Sequence, residues 1–147
     1  MNGRYFLDTN VFVYSFDDRA PRKRQKAQAL IEEALADRRG MISFQVVQEF
    51  LNVALKKFQR PLSIPEGKHY LDRVLSPLCE IFPSISLYRL SLDVKEDIGL
   101  SFYDALIVAS ALQGGCLTIY SEDLPAGKSV SGVTVRNPFE VLAAGAS

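Results

Sequence analysis

Arg4-Tyr5-Phe6-Leu7-Asp8-Thr9-Asn10 is the stretch on which the fold turns. Its apolar residues stop abruptly at short polar ones, which is how a buried strand, Arg4–Leu7, leaves into a polar turn. Working outward, Ala27, Leu30, Ile31, Ala34 and Leu35 recur at helical spacing and predict a helix from about Pro21 to Arg39, closed by Gly40. Met41–Ser43 reads as a second strand. Phe44–Phe58 follows as a helix with Val46, Val47, Phe50, Leu51, Ala54 and Leu55 on one face. Ser63-Ile64-Pro65-Glu66 is a capping box opening a helix through about Ser76. Glu80–Ile85 reads as a strand with Pro77 and Pro83 near its ends, and Leu87–Gly99 as a helix ending at glycine. Phe102–Leu112 is a strongly apolar helix closed by Gly114-Gly115. Cys116–Tyr120 is a buried strand running into Ser121-Glu122-Asp123, and Gly132–Arg136 is a last short strand. About five short strands separated by helices imply a parallel sheet covered on both faces. The expected architecture is a three-layer α/β/α sandwich in a single domain, 1–147.

Composition agrees with that reading and narrows the function. The 147 residues are 48% hydrophobic and 23% charged, as in an ordinary globular domain. A chain of this length buries roughly 70% of its unfolded surface, so it needs no disulfide or structural metal. Cys79 and Cys116 make no disulfide framework and have no metal-ligand spacing; they read as buried small hydrophobes. An acid at position 8 interrupts any signal-peptide core, and no apolar run approaches the ~20 residues that span a bilayer. The expectation is a soluble, cytoplasmic protein with no membrane partner. Net charge is zero, but residues 1–70 carry 12 Lys/Arg against 8 Asp/Glu, and residues 71–147 carry 5 against 9. A zero total argues against a protein that simply coats nucleic acid. It leaves room for a basic patch beside an acidic site.

Two acids lie just beyond strand ends, where open parallel sheets bind ligands: Asp8 and Asp123. Two more interrupt apolar helical stretches, Glu49 and Asp104. Each has a structural explanation by itself. Asp8-Thr9-Asn10 is a plausible turn before a helix, Ser101-Phe102-Tyr103-Asp104 has the form of a capping box, Glu49 has room to snorkel, and Ser121-Glu122-Asp123 suits a surface turn. Brought together, the four would be unstable without compensation, since two charges about 4 Å apart repel by ~4 kcal/mol at an effective dielectric of about 20. Such a cluster takes up protons or binds divalent cations, and oxygen ligands without His or Cys suit Mg²⁺ or Mn²⁺. Carboxylate-held metal activates water for phosphodiester cleavage.

Phe6-Leu7-Asp8-Thr9-Asn10, Ser43 with Glu49 six residues on, Tyr103-Asp104-Ala105-Leu106-Ile107 and Tyr120-Ser121-Glu122-Asp123-Leu124 together closely resemble the PIN-domain ribonucleases. More narrowly, the chain resembles the small bacterial toxin branch of toxin–antitoxin pairs (virulence-associated protein C-like), over nearly its whole length. Gly132-Val133-Thr134-Val135-Arg136-Asn137-Pro138-Phe139 also looks typical of that branch. The resemblance implies a four-acid endoribonuclease dependent on Mg²⁺ or Mn²⁺. Asp8, Glu49, Asp104 and Asp123 fall on its acidic positions, with Asp8, Asp104 and Asp123 as metal ligands and Glu49 holding or deprotonating the water. Asn10, Ser43 and Ser121 would orient the carboxylates. Glu122, beside Asp123, is open as its substitute. An RNA substrate, a small antitoxin whose tail enters the acidic groove, and a homodimer are likewise implied.

Arg22, Lys23 and Arg24 open the helix predicted from about Pro21 to Arg39, where cations oppose the helix dipole but suit a phosphate; RNA contact and a solvated basic face both stay open. His69 reads as a surface helix residue, and Tyr103 as core packing beside the site, with base stacking as its alternative. An aspartyl-nucleophile phosphatase would want a second acid where Asn10 stands. The remaining rivals are a PIN-like RNA-binding module without cleavage and an RNA-processing role without toxicity.

Overall fold

The computed structural model describes residues 3–125 and 129–140, so both ends of the expected domain, 1–2 and 141–147, lie outside the described residues. Six strands form one sheet: β1 (Arg4–Leu7), β2 (Gly40–Ser43), β3 (Cys79–Ile81), β4 (Cys116–Tyr120), β5 (Ser129–Val130) and β6 (Val133–Arg136), in the order β3-β2-β1-β4-β6-β5. The first four and β6 are parallel, as the alternation predicts, and β5 pairs antiparallel to β6. The short β5 is absent from the sequence reading. Ser131 and Gly132 join it to β6 with φ of 52° and 94°, the paired left-handed conformations of a tight hairpin turn.

Helices α1 (Thr9–Tyr14), α2 (Pro21–Asp37), α3 (Phe44–Lys56), α4 (Ile64–Tyr70), α5 (Ser76–Leu78), α6 (Ile85–Ile98) and α7 (Phe102–Gln113) cover the sheet. A strand buried on both faces has no polar side to show, and every residue of β2 is buried. The α7 helix is apolar all round because it is sandwiched: Ala105–Ala111 are buried as it crosses β2, β4 and β6 beneath α6. Phe12 of α1, Phe50 of α3, and Phe16, Phe58 and Tyr70 form an aromatic cluster, with the Phe50 and Tyr70 rings stacked at 4.9 Å. That cluster anchors α3 against α1 and α4.

Several boundaries differ from expectation for identifiable reasons. Asp8-Thr9-Asn10 is the start of α1, not an open turn. The α2 helix ends at Arg38, which takes the left-handed conformation (φ 61°), while Gly40 belongs to β2. A Cβ on Gly40 would lie 2.4 Å from the Ala34 Cβ and 2.8 Å from the Tyr5 ring, so glycine is there for close approach. The capping box at Ser63 is present, but its helix passes into a π-helical turn, Leu71–Leu75, before α5. The expected strand Glu80–Ile85 is only Cys79–Ile81, because Ser84 caps α6 at Ile85. Cys116 is buried as expected, whereas Cys79 is half-buried at an edge strand. His69 is exposed, as expected. Among the described residues no helix is long and apolar enough to cross a membrane.

Candidate active site

Three strand ends meet at the C-terminal edge of the sheet. The parallel register pairs Phe6 with Met41 and Leu7 with Tyr120, which brings Asp8, Ser43 and Ser121 level on adjacent strands. Strand order reverses between β1 and β4, and such a switch point opens a ligand crevice in a parallel sheet. Asp8 stands at that point. Its Oδ1 caps α1 by accepting the Thr9 N–H (2.7 Å), and its Oδ2 accepts the Ser121 hydroxyl (2.7 Å) across the β1–β4 boundary. Burial dominates its ionisation, since the residue is 7% exposed. Loss of solvent pushes the carboxyl up from 3.8 to about 6; the bonds from Ser121 and Thr9 oppose this, and the charges of Glu49 and Asp123 add to it.

Glu49 faces the same region from α3, held at both oxygens. The Thr9 hydroxyl donates to Oε1 (2.5 Å) and the Gln45 amide to Oε2 (3.1 Å). Gln45 Nε2 also donates to the Tyr103 carbonyl (3.2 Å), so one buried amide links Glu49 to the first turn of α7. Asp104 occupies that turn. Its N–H donates to the Ser101 hydroxyl (3.2 Å), but the return bond of a full capping box, present at Ser63 and Glu66, is lacking here. Among the described residues its carboxylate accepts no hydrogen bond.

After β4 the turn is organised by Ser121, whose oxygen accepts the N–H groups of Asp123 and Leu124 (3.1 Å each) while its hydroxyl donates to Asp8. The two acids that follow differ. Glu122 accepts the Tyr14 hydroxyl (2.7 Å) and the Lys23 ammonium (2.7 Å); burial pushes its carboxyl up, and those two bonds outweigh it and hold it below its ordinary value. Asp123 is exposed and its carboxylate makes no such bond with a described residue. The two amide atoms of Asn10, the Ser43 hydroxyl and the Gln45 carbonyl oxygen are buried without a partner among the described residues. A buried polar atom left unmet costs about 1–3 kcal/mol, so these atoms call for water or ligand.

The basic segment is largely committed elsewhere. Arg24 pairs with Asp18 (3.2 Å) and Lys23 with Glu122, while Arg22 is exposed and makes no ion pair with a described residue. Tyr103, expected in the core, is 65% exposed with its ring edge-on to Phe102. It opens outward because the helix face toward the sheet is filled by Ala105, Leu106 and Val108. Thr9 and Gln45 are the contributors that sequence reasoning missed; Gln45 carried a signal, lying one helical turn before Glu49.

The donor set is all carboxylate, amide and hydroxyl oxygen, which fits a hard divalent cation, and such an ion would reverse the field that raises Asp8. The acids are not closed into a cage. Among the described residues, no three His, Cys, Asp or Glu side chains gather as a metal-binding group.

The sequence model of the PIN domain matches residues 5–124. No curated protein sequence matches the chain. Among solved structures, a toxin–antitoxin complex from Klebsiella pneumoniae is similar with a TM-score of 0.67 and 19% identity over 91% of this chain and 97% of that one. DNA-bound VapBC from Salmonella typhimurium gives 0.61 and 16%, covering 92% and 98%. The sarcin–ricin loop cleaving toxin VapC20 of Mycobacterium tuberculosis gives 0.58 and 18%, covering 81% and 89%. At these identities the likeness is one of fold.

Proposed function

The chain belongs to the PIN domain family, and from that premise we propose that it is an endoribonuclease dependent on Mg²⁺ or Mn²⁺, the toxin of a toxin–antitoxin pair. The observation that carries the reading is Asp8: a buried carboxyl at the switch point, raised to about 6, with Glu49 and Asp123 as the acids whose charges reach it. Asp8, Asp104 and Asp123 would hold the ion, which when bound supplies a Lewis acid for the scissile phosphate and a lower pKa for attacking water. Glu49 is the base. Thr9 and Gln45 each donate to one of its oxygens, so the carboxylate is fixed in one orientation. As water adds to phosphorus its proton passes to Glu49, and the leaving ribose oxygen departs with a proton from solvent. Ser121 orients Asp8 by its hydroxyl bond, while Asn10 and Ser43 offer buried polar atoms to the same crevice. Arg22, exposed and without an ion pair among the described residues, is a cation for an RNA phosphate, and the exposed ring of Tyr103, one residue before Asp104, offers a base a stacking face.

A small antitoxin, a homodimer and a cytoplasmic setting belong to the same proposal. The antitoxin is supported by near full-length likeness to solved toxin–antitoxin complexes, while the homodimer and the cytoplasmic setting rest on the sequence resemblance alone. A binding module without cleavage is the second reading, favoured by the absence of a gathered three-acid group among the described residues. The deciding experiment incubates the protein with single-stranded and hairpin RNAs in Mg²⁺, Mn²⁺ or EDTA, with Asp8→Asn as the contamination control. Metal-dependent cleavage lost in Asp8→Asn is expected. RNA binding with neither cleavage nor divalent-ion binding would establish the second reading instead.

A further inference from the structure

Lys23 reaches from the first turn of α2 into a cluster assembled from distant parts of the chain. Its ammonium donates to Glu122 Oε2 (2.7 Å) and to the Tyr14 hydroxyl oxygen (3.2 Å), and lies 4.6 Å from the Tyr14 ring centre and 5.8 Å from that of Phe139. The Tyr14 hydroxyl donates to the other Glu122 oxygen (2.7 Å), and its ring meets Phe139 edge-on at 4.9 Å. Thus α1, α2, the turn after β4 and the segment after β6 close on one carboxylate. We propose that Lys23 and Tyr14 clamp Glu122 to hold the Ser121–Asp123 turn in place, so that Lys23 is a positioning residue for Asp123 and not a contact for RNA. The proposal rests on the reading of Asp123 as part of the site.

Two acids stand side by side in a short turn whose backbone N–H groups, at Asp123 and Leu124, are gathered on the Ser121 oxygen. That same Ser121 hydroxyl donates to Asp8, so any shift of the turn is felt at the crevice. Glu122 is drawn toward α1 and α2, leaving the Asp123 carboxylate without a bond to a described residue and near enough to act on Asp8. An unclamped Glu122 would have no partner to keep it there. The ion pair is partly exposed, with side chains 39% and 26% accessible, so its contribution lies in placement more than in global stability. A cation already bonded to a carboxylate and a phenol has one N–H left and its charge set against Glu122, which makes it a weak contact for a phosphate.

The test uses the full chain with Lys23→Met, Lys23→Arg and Glu122→Gln. Hydrogen exchange at the Asp123 and Leu124 amides reads the turn directly, whether or not RNA is cleaved. Exchange about tenfold faster in Lys23→Met and Glu122→Gln, restored in Lys23→Arg, is expected with the global melting temperature nearly unchanged; protection equal to wild type in both would overturn the clamp. In cleavage assays, kcat should fall about tenfold or more in Lys23→Met with KM nearly constant, since small misplacements near the chemistry are costly. The salt dependence of RNA binding should keep its slope. A raised KM, a flattened slope and an unchanged kcat would make Lys23 an RNA contact and overturn the proposal. If wild-type protein cleaves nothing, the nuclease reading fails while the exchange result still decides the clamp.

Discussion

The two flanks of β1 hold their acids by different means. On the β4 flank, Asp8 is fixed by strand pairing, by capping α1 and by the Ser121 hydroxyl, and the following turn is tied back onto the same serine. On the helical flank, Glu49 and the turn bearing Asp104 are joined through a single amide, that of Gln45. Backbone geometry at a sheet edge is shared among many bonds, whereas a side-chain relay fails when one member is removed. The β4 flank should therefore tolerate loss of a polar group with its shape intact, and the helical flank should not.

The largest expected effect tests whether the flanks act together. Asp8→Asn and Asp104→Asn should each lower cleavage at least about 10²-fold in a quenched-fluorescence RNA assay. Their stabilities should separate them less: Asp104 gives up no hydrogen bond to a described residue, so Asp104→Asn should stay within about 1 kcal/mol of wild type in urea unfolding. A larger loss would mean that Asp104 serves the helix first. Next is the relay. Gln45→Leu keeps the volume and removes both bonds, and should reduce kcat by roughly 10–100-fold, more than Ser121→Ala does. Equal losses would erase the distinction between the flanks.

A third effect is linked to pH. The Asp8 carboxyl lies at about 6 in the folded chain against 3.8 as its ordinary value, so the folded state binds this proton more tightly. The stability it contributes is therefore fully present below 3.8 and is lost as pH rises through about 6. In metal-free protein, the stability of wild type relative to Asp8→Asn should fall by roughly 2 kcal/mol between about pH 4 and pH 7.5. A flat difference across that range would show the site to be better solvated than its burial implies. The smallest effect concerns RNA contact. Arg22→Ala should reduce the slope of log affinity against log salt by about 1.

Much of this was legible along the chain. Continuous apolar runs located β1, β2 and β4 within a residue; β2 is buried throughout, as a parallel strand covered on both faces is, whereas β4, expected buried, leaves Leu117 exposed. The capping box at Ser63 and the serine cap of α7 are local chemistry, written within three residues. The α1 helix was hidden because a polar cap followed by six residues gives too little periodicity to distinguish a helix from a turn. The end of β3 was misplaced because Pro83 and Ile85 continue its apolar pattern while Ser84 starts a helix. Charge gave the least reliable guide: the run Arg22-Lys23-Arg24 reads as one basic patch, yet two of its members are turned onto acids.

The sequence by itself determined which residues are apolar, where helices are capped, and that four acids stand at strand ends or in otherwise apolar helices. Those are properties of a residue and its near neighbours. Only the tertiary structure decided what each acid faces. Glu122 and Asp123 are adjacent in the chain, and no local rule separates them; one meets Lys23 across a sequence separation of 99 and the other does not. Likewise the bond from Ser121 to Asp8 spans 113 positions and exists because the sheet sets β4 beside β1. Side-chain ionisation and partnership are set by distance through space, which the chain controls only after its strands have chosen their neighbours.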